Sequence, residues 1–353
     1  MAGGIGSRFW PLSKKTYPKQ FHDILGVGKS LLQLTYERFE RIVPSENIFV
    51  ITNSSYSLLV NDQLPNLPEK NILTEPAAMN TAPCVAYASF KLFCLNEKAN
   101  VIFAPSDHLI TNEFKFDSDI KEALTFTETN SALVTLSIKP TRPDTGYGYI
   151  QFIEKEKNEN IHKVKTFTEK PSHELALTFM ESGDFYWNSG IFIWKASDIL
   201  NEFNLHQTDI YDLFKKGLKY YNTAKEQTFI NKQYPLCKSI SIDYAVMEKT
   251  KIAYTLPTEF GWSDIGTWKS LYHLRDKDEN NNMVHSKNNQ IYNTKDSLIF
   301  MESNPEKLVV IEGLEGVMVI DTDEILFISH LDREQEVREI TKDIKDKYKG
   351  KFI

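Results

Sequence analysis

Three glycines and two cations stand close together at the start of this chain. Residues 2–11 read AGGIGSRFWP and residues 17–21 read YPKQF. Gly3, Gly4 and Gly6 carry no Cβ, so backbone amides there can approach a ligand closely. Successive N–H groups in such a turn form a concave nest for an anion. Arg8 and Lys19 are cations within reach of that anion, and the combination is what the phosphates of a nucleoside triphosphate need. A GGxG cluster alone is more often a plain turn. It is not a dinucleotide fingerprint, because Phe9 stands where the third glycine belongs, and GVGKS at 26–30 is not a P-loop, because Asp23 stands where its first glycine belongs.

Acids at the ends of apolar runs form a second constellation. Asp107 follows VIFAPS, and Asp264 lies in FGWSDIGTW. Two carboxylates from distant strand ends suit Mg²⁺, which takes one or two of them with phosphate oxygens and water. Helix or turn capping explains each acid equally simply. Glu169-Lys170-Pro171 offers an acceptor for sugar hydroxyls beside a cation for a phosphate; an exposed ion pair is the plain alternative. Asn188, between Trp187 and Phe192, suits a sugar held by stacking and directional hydrogen bonds. In EPAAMNTAP (75–83), Glu75, Asn80 and Thr81 flank a helix start whose free backbone groups can read a base edge, or simply cap the helix. His108 reads as a polar turn residue, and Trp194, Trp262 and Trp268 as core.

The elements that must position these residues alternate. Helical spacing over 30–41, 55–64, 81–95 and 116–128 is interleaved with β-branched runs at 47–52, 71–76, 100–108 and 131–138. This alternation predicts an α/β fold: a Rossmann-like mixed, mostly parallel sheet with helices on both faces. Ligands of such sheets sit at the carboxyl ends of the strands, where the glycine loop, Glu75 and Asp107 fall. GYGYIQFI and KVKTFTEKP read as antiparallel strands extending the sheet. The polar segment 276–282 is the expected boundary between a large N-terminal α/β domain (1–280) and a small β-rich C-terminal domain (285–353) ending in a helix. Met1 abuts the glycine loop, so the strand that usually precedes such a loop is expected to be missing, and the loop to be the least supported part of the site.

Bulk properties narrow the classes. The 353 residues are 41 % hydrophobic and 25 % charged, an ordinary globular composition. A formal net charge of −7 argues against a nucleic-acid partner. Three cysteines without CxxC spacing argue against a disulfide framework or a zinc site and for a reducing, cytoplasmic setting. No run reaches the ~20 apolar residues of a membrane span.

Taken in order, AGGIGSRFWPLS, YPKQF, EPAAMNTAP, APSDH, TGYGYI, FTEKP, WNSGIF, SIDYAVMEK and GWSDIGTW resemble the mannose-1-phosphate guanylyltransferases of the sugar-nucleotidyltransferase superfamily. The likeness covers about residues 1 to 345. It implies transfer of GMP from GTP to mannose 1-phosphate, giving GDP-mannose and pyrophosphate by Mg²⁺-assisted in-line attack on the α-phosphorus. Carried over by position, Gly3, Gly4, Gly6, Ser7 and Arg8 match the nucleotide loop, with Arg8 and Lys19 the catalytic cations. Asn80 and Thr81 match the guanine side, and Asp107 and Asp264 the magnesium carboxylates. Gly146, Glu169 and Asn188 match sugar positions, Lys170 a lysine near the sugar phosphate, and Asp243 the sugar rim.

This chain departs from the family pattern at Met79, where arginine is common. Many bacterial members also carry a C-terminal cupin domain with isomerase activity; the chain ends before one, so guanylyltransferase activity alone is expected. Related enzymes often assemble through such β-rich tails, so the C-terminal domain either packs on its own chain or pairs two copies into a homodimer. Two rivals stay open: a nucleotidyltransferase for another sugar 1-phosphate, and a non-catalytic GDP-sugar-binding subunit.

Overall fold

The computed structural model describes residues 1–304 and 306–353. In chain order its elements are α1 (Leu31–Glu40), β1 (Val50–Asn53), α2 (Ser57–Gln63), β2 (Ile72–Glu75), α3 (Thr81–Leu95), β3 (Asn100–Phe103), β4 (Leu109–Ile110), α4 (Glu113–Thr129), β5 (Leu133–Ile138), β6 (Gly148–Asn158), β7 (Ile161–Glu169), α5 (His173–Ser182) and β8 (Phe185–Lys195). There follow α6 (Ala196–His206), α7 (Thr208–Lys215), α8 (Glu226–Gln233), β9 (Ala253–Thr258), β10 (Trp262–Ser263), α9 (Trp268–Leu274), β11 (Met283–His285), β12 (Asn288–Tyr292), β13 (Leu298–Met301), β14 (Leu308–Glu312), β15 (Val317–Asp321), β16 (Leu326–His330) and α10 (Val337–Lys347). They form two compact units. One comprises residues 1–3, 36–106 and 110–262; the other comprises 4–35, 107–109 and 263–353. Residues 4–35 and 263–280, expected in the N-terminal domain, thus pack with the C-terminal region.

In the first unit a six-stranded sheet runs β3-β8-β5-β9-β7-β6. The β5–β9 pair is parallel, whereas β3–β8, β5–β8, β7–β9 and β6–β7 are antiparallel. The mixed α/β architecture is as expected. The sheet is not the mostly parallel one expected, since only β5–β9 is parallel: β8 inserts antiparallel between β3 and β5, and the β6–β7 hairpin flanks β9 antiparallel. Strand β5 is buried along nearly its whole length, and both faces of the sheet are covered. Tyr87 and Phe90 of α3 pack with Trp194, Phe203 and Phe214 in one core. Phe116, Ile120 and Ala123 of α4 pack with Val134, Ile193 and Phe260 in another. Truncating a fully buried aromatic such as Phe203 to alanine costs roughly 3–5 kcal/mol. A bulge between Thr135 and Ser137 shifts the β5–β8 register, pairing Thr135 with Phe192 but Ser137 with Asn188.

Residues 1–3 are firmly held in this unit, against the expectation of weak support. The terminal ammonium donates to the Ala104 carbonyl at 2.8 Å, and the Ala2 amide to the Ile51 carbonyl at 2.8 Å. The Thr52 hydroxyl donates to the Ala2 carbonyl, and Ala2 itself is buried.

The second unit is built on parallel ladders. Met283, Leu298 and Met318 align across β11, β13 and β15, and β12 pairs with β14. Unequal spacing between these aligned residues is why no fixed repeat period shows in the sequence. Their inward side chains join Phe9, Trp10, Ile24, Trp268 and Phe300 in one core. The Trp268 indole donates to the Trp10 carbonyl at 3.1 Å, and the Trp10 indole to the Phe352 carbonyl at 2.8 Å. This apolar anchorage places the segment carrying Arg8 and Lys19.

Candidate functional site

Within the second unit the glycine loop turns on Gly6, in the left-handed region at φ 71°. A Cβ at Gly6 would lie 2.5 Å from the Lys19 Cβ, so the fold itself requires glycine there. At Gly4 an added Cβ meets nothing within 4 Å, and the residue is exposed. Packing therefore gives no reason for glycine at position 4, and the open side leaves room for close approach to the backbone there. Ser7 is exposed and Arg8 half-buried on the short 3-10 turn Ser7–Phe9, and among the described residues Arg8 has no ion-pair partner.

Lys19 is buried, and its ammonium is a junction. It donates to the Asp107 carboxylate at 3.0 Å, to the Asp107 carbonyl at 3.2 Å and to the Asp264 carbonyl at 2.7 Å. Three acceptors match the three N–H groups of an ammonium. Lys19, expected to grip the nucleotide directly, is instead directed at protein oxygens. What it does is draw together two acidic residues distant in the sequence. Burial pushes the Asp107 carboxyl up, but the Lys19 ammonium and then His108 outweigh it and hold this carboxyl below its ordinary range. Asp264 caps no helix: the N-cap of α9 is Thr267, in a capping box with Ser270. Both acids are half-buried. Among the described residues no three or more His, Cys, Asp or Glu gather around a metal position. A cation at Asp107 and Asp264 would therefore complete its shell from phosphate and water, which is how Mg²⁺ is held beside a triphosphate.

In the first unit a second constellation forms where β7 and β8 meet a π-helical turn, Asp243–Met247. Asn188 is nearly buried. Its Nδ2 donates to Asp243 Oδ1 at 3.0 Å, and its Oδ1 accepts from the Thr135 hydroxyl at 2.8 Å and the Gly190 amide at 3.1 Å. Glu169 is nearly buried and paired with the Lys170 ammonium, whose side chain is 55 % exposed. Gly148 makes room for Glu169: a Cβ there would lie 2.6 Å from its Oε2. Burial, and then the Glu169 charge, push the Asp243 carboxyl up to about 7. Gly146 belongs to the adjoining turn, its amide bonded to Asp144 at 2.8 Å. Arg142 chelates Asp144 and lies 5.1 Å over the Trp187 ring. Asp243, Asn188, Glu169 and Lys170 are thus brought together, with Gly146 on a neighbouring loop.

The base-side candidates have structural work. Asn80 caps α3, its Oδ1 accepting from the Thr81 amide at 2.9 Å, and the Thr81 hydroxyl accepts from the Ile242 amide at 2.8 Å. Met79 packs half-buried against the first core. Near Gly3 lies the buried Glu75, which accepts from the Tyr234 hydroxyl. Burial raises the Glu75 carboxyl, with the Tyr234 hydroxyl opposing. Sequence reasoning missed Arg142, Asp144, Tyr244 and Glu248 around the Glu169 cluster. Arg142 and Asp144 could have been suspected from charges flanking the TGYG turn. Tyr244 and Glu248 stand in SIDYAVMEK (241–249), but nothing in that motif singles them out from its other residues.

Comparison with known proteins gives a consistent picture. A family profile described as nucleotidyl transferase matches residues 1–281. The mannose-1-phosphate guanylyltransferase of Escherichia coli is 36 % identical, over 96 % of this chain and 74 % of that protein. The alginate biosynthesis protein AlgA of Pseudomonas aeruginosa is 35 % identical, over 98 % of this chain and 71 % of that protein. A crystal structure from Thermus thermophilus, described as a mannose-1-phosphate geranyltransferase, superposes with a TM-score of 0.86 at 27 % identity over 98 % of both chains.

Proposed function

Because this chain belongs to the nucleotidyl transferase family, we propose that it transfers GMP from GTP to mannose 1-phosphate, releasing pyrophosphate and forming GDP-mannose. The names of its relatives support the substrates. The observation that carries the chemistry is the Lys19 ammonium, which binds the Asp107 carboxylate and the Asp264 carbonyl at once. It holds two hard-oxygen ligands for Mg²⁺ where a triphosphate loop begins.

The sugar phosphate is its own nucleophile. One of its oxygens forms the new bond to the α-phosphorus of GTP, while the bond from that phosphorus to the bridging oxygen breaks and pyrophosphate leaves in line. The protein contributes position and charge. The amides of Gly4, Gly6 and Ser7 cradle phosphate, and Arg8 faces the charge that develops on the α-phosphate and leaving group. Lys19 fixes the Asp107 and Asp264 segments. Mg²⁺, when bound by those two acids, supplies charge neutralisation at the phosphate oxygens. Gly3, Asn80 and Thr81 are assigned to the guanosine side. Glu169, Asn188 and Asp243, with Gly146, bind the mannose hydroxyls, and Lys170, on its exposed side chain, swings to the sugar phosphate.

Three free cysteines support a cytoplasmic setting. Among the described residues no helix is long and apolar enough to cross a membrane. Exposed Leu308 and Val310 on β14, with Leu326 and Ile328 on β16, support pairing of two copies through the C-terminal region. Pyrophosphate release from a panel of nucleoside triphosphates and sugar 1-phosphates with Mg²⁺ tests the reading. GTP with mannose 1-phosphate is expected to give the highest kcat/KM. Another pair in first place would reassign the substrates, and GDP-mannose binding without turnover would make the chain a binding subunit.

A further inference from the structure

The π-helical turn Asp243–Met247 closes with the Glu248 amide donating to the Asp243 carbonyl at 3.0 Å. An i→i+5 turn is rare and concentrates at functional sites. Closing over five residues brings Asp243, Tyr244 and Glu248 to one side, where an α-helical turn would splay them. All three then address the Glu169–Asn188 pair. Asp243 accepts from Asn188. Glu248 Oε1 accepts from the Glu169 backbone amide at 3.0 Å, and the Tyr244 hydroxyl donates to the Glu169 backbone carbonyl at 3.2 Å. Both polar groups of the Glu169 peptide are therefore held by side chains that are themselves exposed. Such side chains contribute little to the core.

The next residue explains why a clamp is needed. Lys170 sits in the left-handed region at φ 48°, immediately before Pro171. A non-glycine residue there stores strain, and its amide is held by the Tyr147 carbonyl at 3.1 Å. Unless the preceding peptide is fixed, the turn can relax and re-aim the Glu169 carboxylate, which Gly148 admits in only a narrow space.

We propose that Tyr244 and Glu248 are positioning residues that clamp the Glu169 peptide and so orient its carboxylate toward the hydroxyls of the sugar phosphate. This rests on the assignment of Glu169 to the sugar. It goes further in naming two residues outside the sugar-contacting set whose loss should weaken sugar binding alone. Steady-state kinetics with each substrate varied in turn tests it on Glu248→Ala, Glu248→Gln and Tyr244→Phe. Glu248→Ala should raise KM for mannose 1-phosphate about tenfold, the scale of one lost charge-assisted hydrogen bond, with KM for GTP and Tm unchanged. Glu248→Gln keeps an acceptor oxygen and should restore KM to near the wild-type value. Tyr244→Phe should show a smaller rise of the same kind.

Equal changes in both KM values, a fall in Tm that accounts for the loss, or failure of glutamine to rescue would overturn the clamp. Wild-type turnover separates this outcome from failure of the functional reading. If another sugar 1-phosphate is preferred, the same selective rise is expected for it. If the wild type only binds GDP-mannose, the selective loss is expected in its affinity for GDP-mannose against GDP, and no such difference would overturn the clamp.

Discussion

On the proposed function, the glycine-loop region and the Glu169 region face different binding problems. In the former, Gly4 and Ser7 are exposed, Arg8 has no ion-pair partner among the described residues, and one buried lysine organises two acids. In the latter, Asn188 and Glu169 are nearly buried, and both functional ends of the Asn188 amide are engaged internally. A polyanion is attracted by charge and by amides that can face it from many directions. A neutral polyol offers no such attraction, so directional partners must be fixed in advance. On that reading the loop serves as an accessible nest and the Glu169 cluster as a prearranged hydrogen-bond network.

Mutations that separate charge from orientation sharpen this contrast. The largest effect is expected for Asp264→Asn, which should abolish Mg²⁺-dependent pyrophosphate release; retained turnover would remove Asp264 from the metal site. Next, Arg8→Ala should lower kcat by about 10²–10³, as for other groups aimed at transition-state charge. A rise in KM for GTP without a fall in kcat would make Arg8 a binding residue and the loop a docking nest only.

A pair of glycine substitutions probes the contrast directly. Gly148→Ala drives a methyl to within 2.6 Å of Glu169 Oε2 and should raise KM for the sugar phosphate about tenfold, the scale of one disturbed hydrogen bond to a charged group. Gly4→Ala meets no protein atom, so it should leave Tm unchanged and raise KM for GTP alone. If Gly4→Ala proves kinetically silent, no ligand approaches that position closely.

The smallest effect is in stability. Asp243 is pushed up to about 7 in the fold, from an ordinary value of 3.8. The folded state therefore binds more protons than the unfolded state between these values. The associated stability is fully present below the unfolded value and is lost as pH rises through about 7. Asp243→Asn keeps an acceptor for Asn188 and removes this dependence. Relative to wild type it should gain on the order of 2 kcal/mol between acidic pH and pH 8, read as a widening Tm difference. A constant difference across that range would show that Asp243 ionises normally.

Much of the scaffold is legible locally. The apolar, proline-opened run 81–95 forms α3 over those residues, because its periodicity and N-terminal signals are local properties. The β-branched run at 131–138 likewise becomes the buried strand β5. The candidate residues were legible as types in a sequence order. Their neighbours were not: Lys19 meets Asp107 and Asp264 across 88 and 245 residues of chain, and no local pattern encodes that encounter. A polar segment such as 276–282 marks only where the chain is locally exposed, not which distant segments pack together. The packing of Phe9, Trp10 and Ile24 with Trp268 and Phe300 depends on shape in three dimensions.

By itself, then, the sequence determined the alternating α/β scaffold, the glycine loop with its cations, and the acids and amide available for chemistry. These follow from side-chain type and short-range backbone preference. Tertiary structure alone decided that Lys19 serves as a tie between acidic segments, that Asn80 and Thr81 carry structural bonds, and that a π-helical turn holds the Glu169 peptide. Each of these depends on which donor finds which acceptor across the fold, and for Lys19 that donor is buried. In a densely packed interior, an unpaired polar group is costly enough to force that choice.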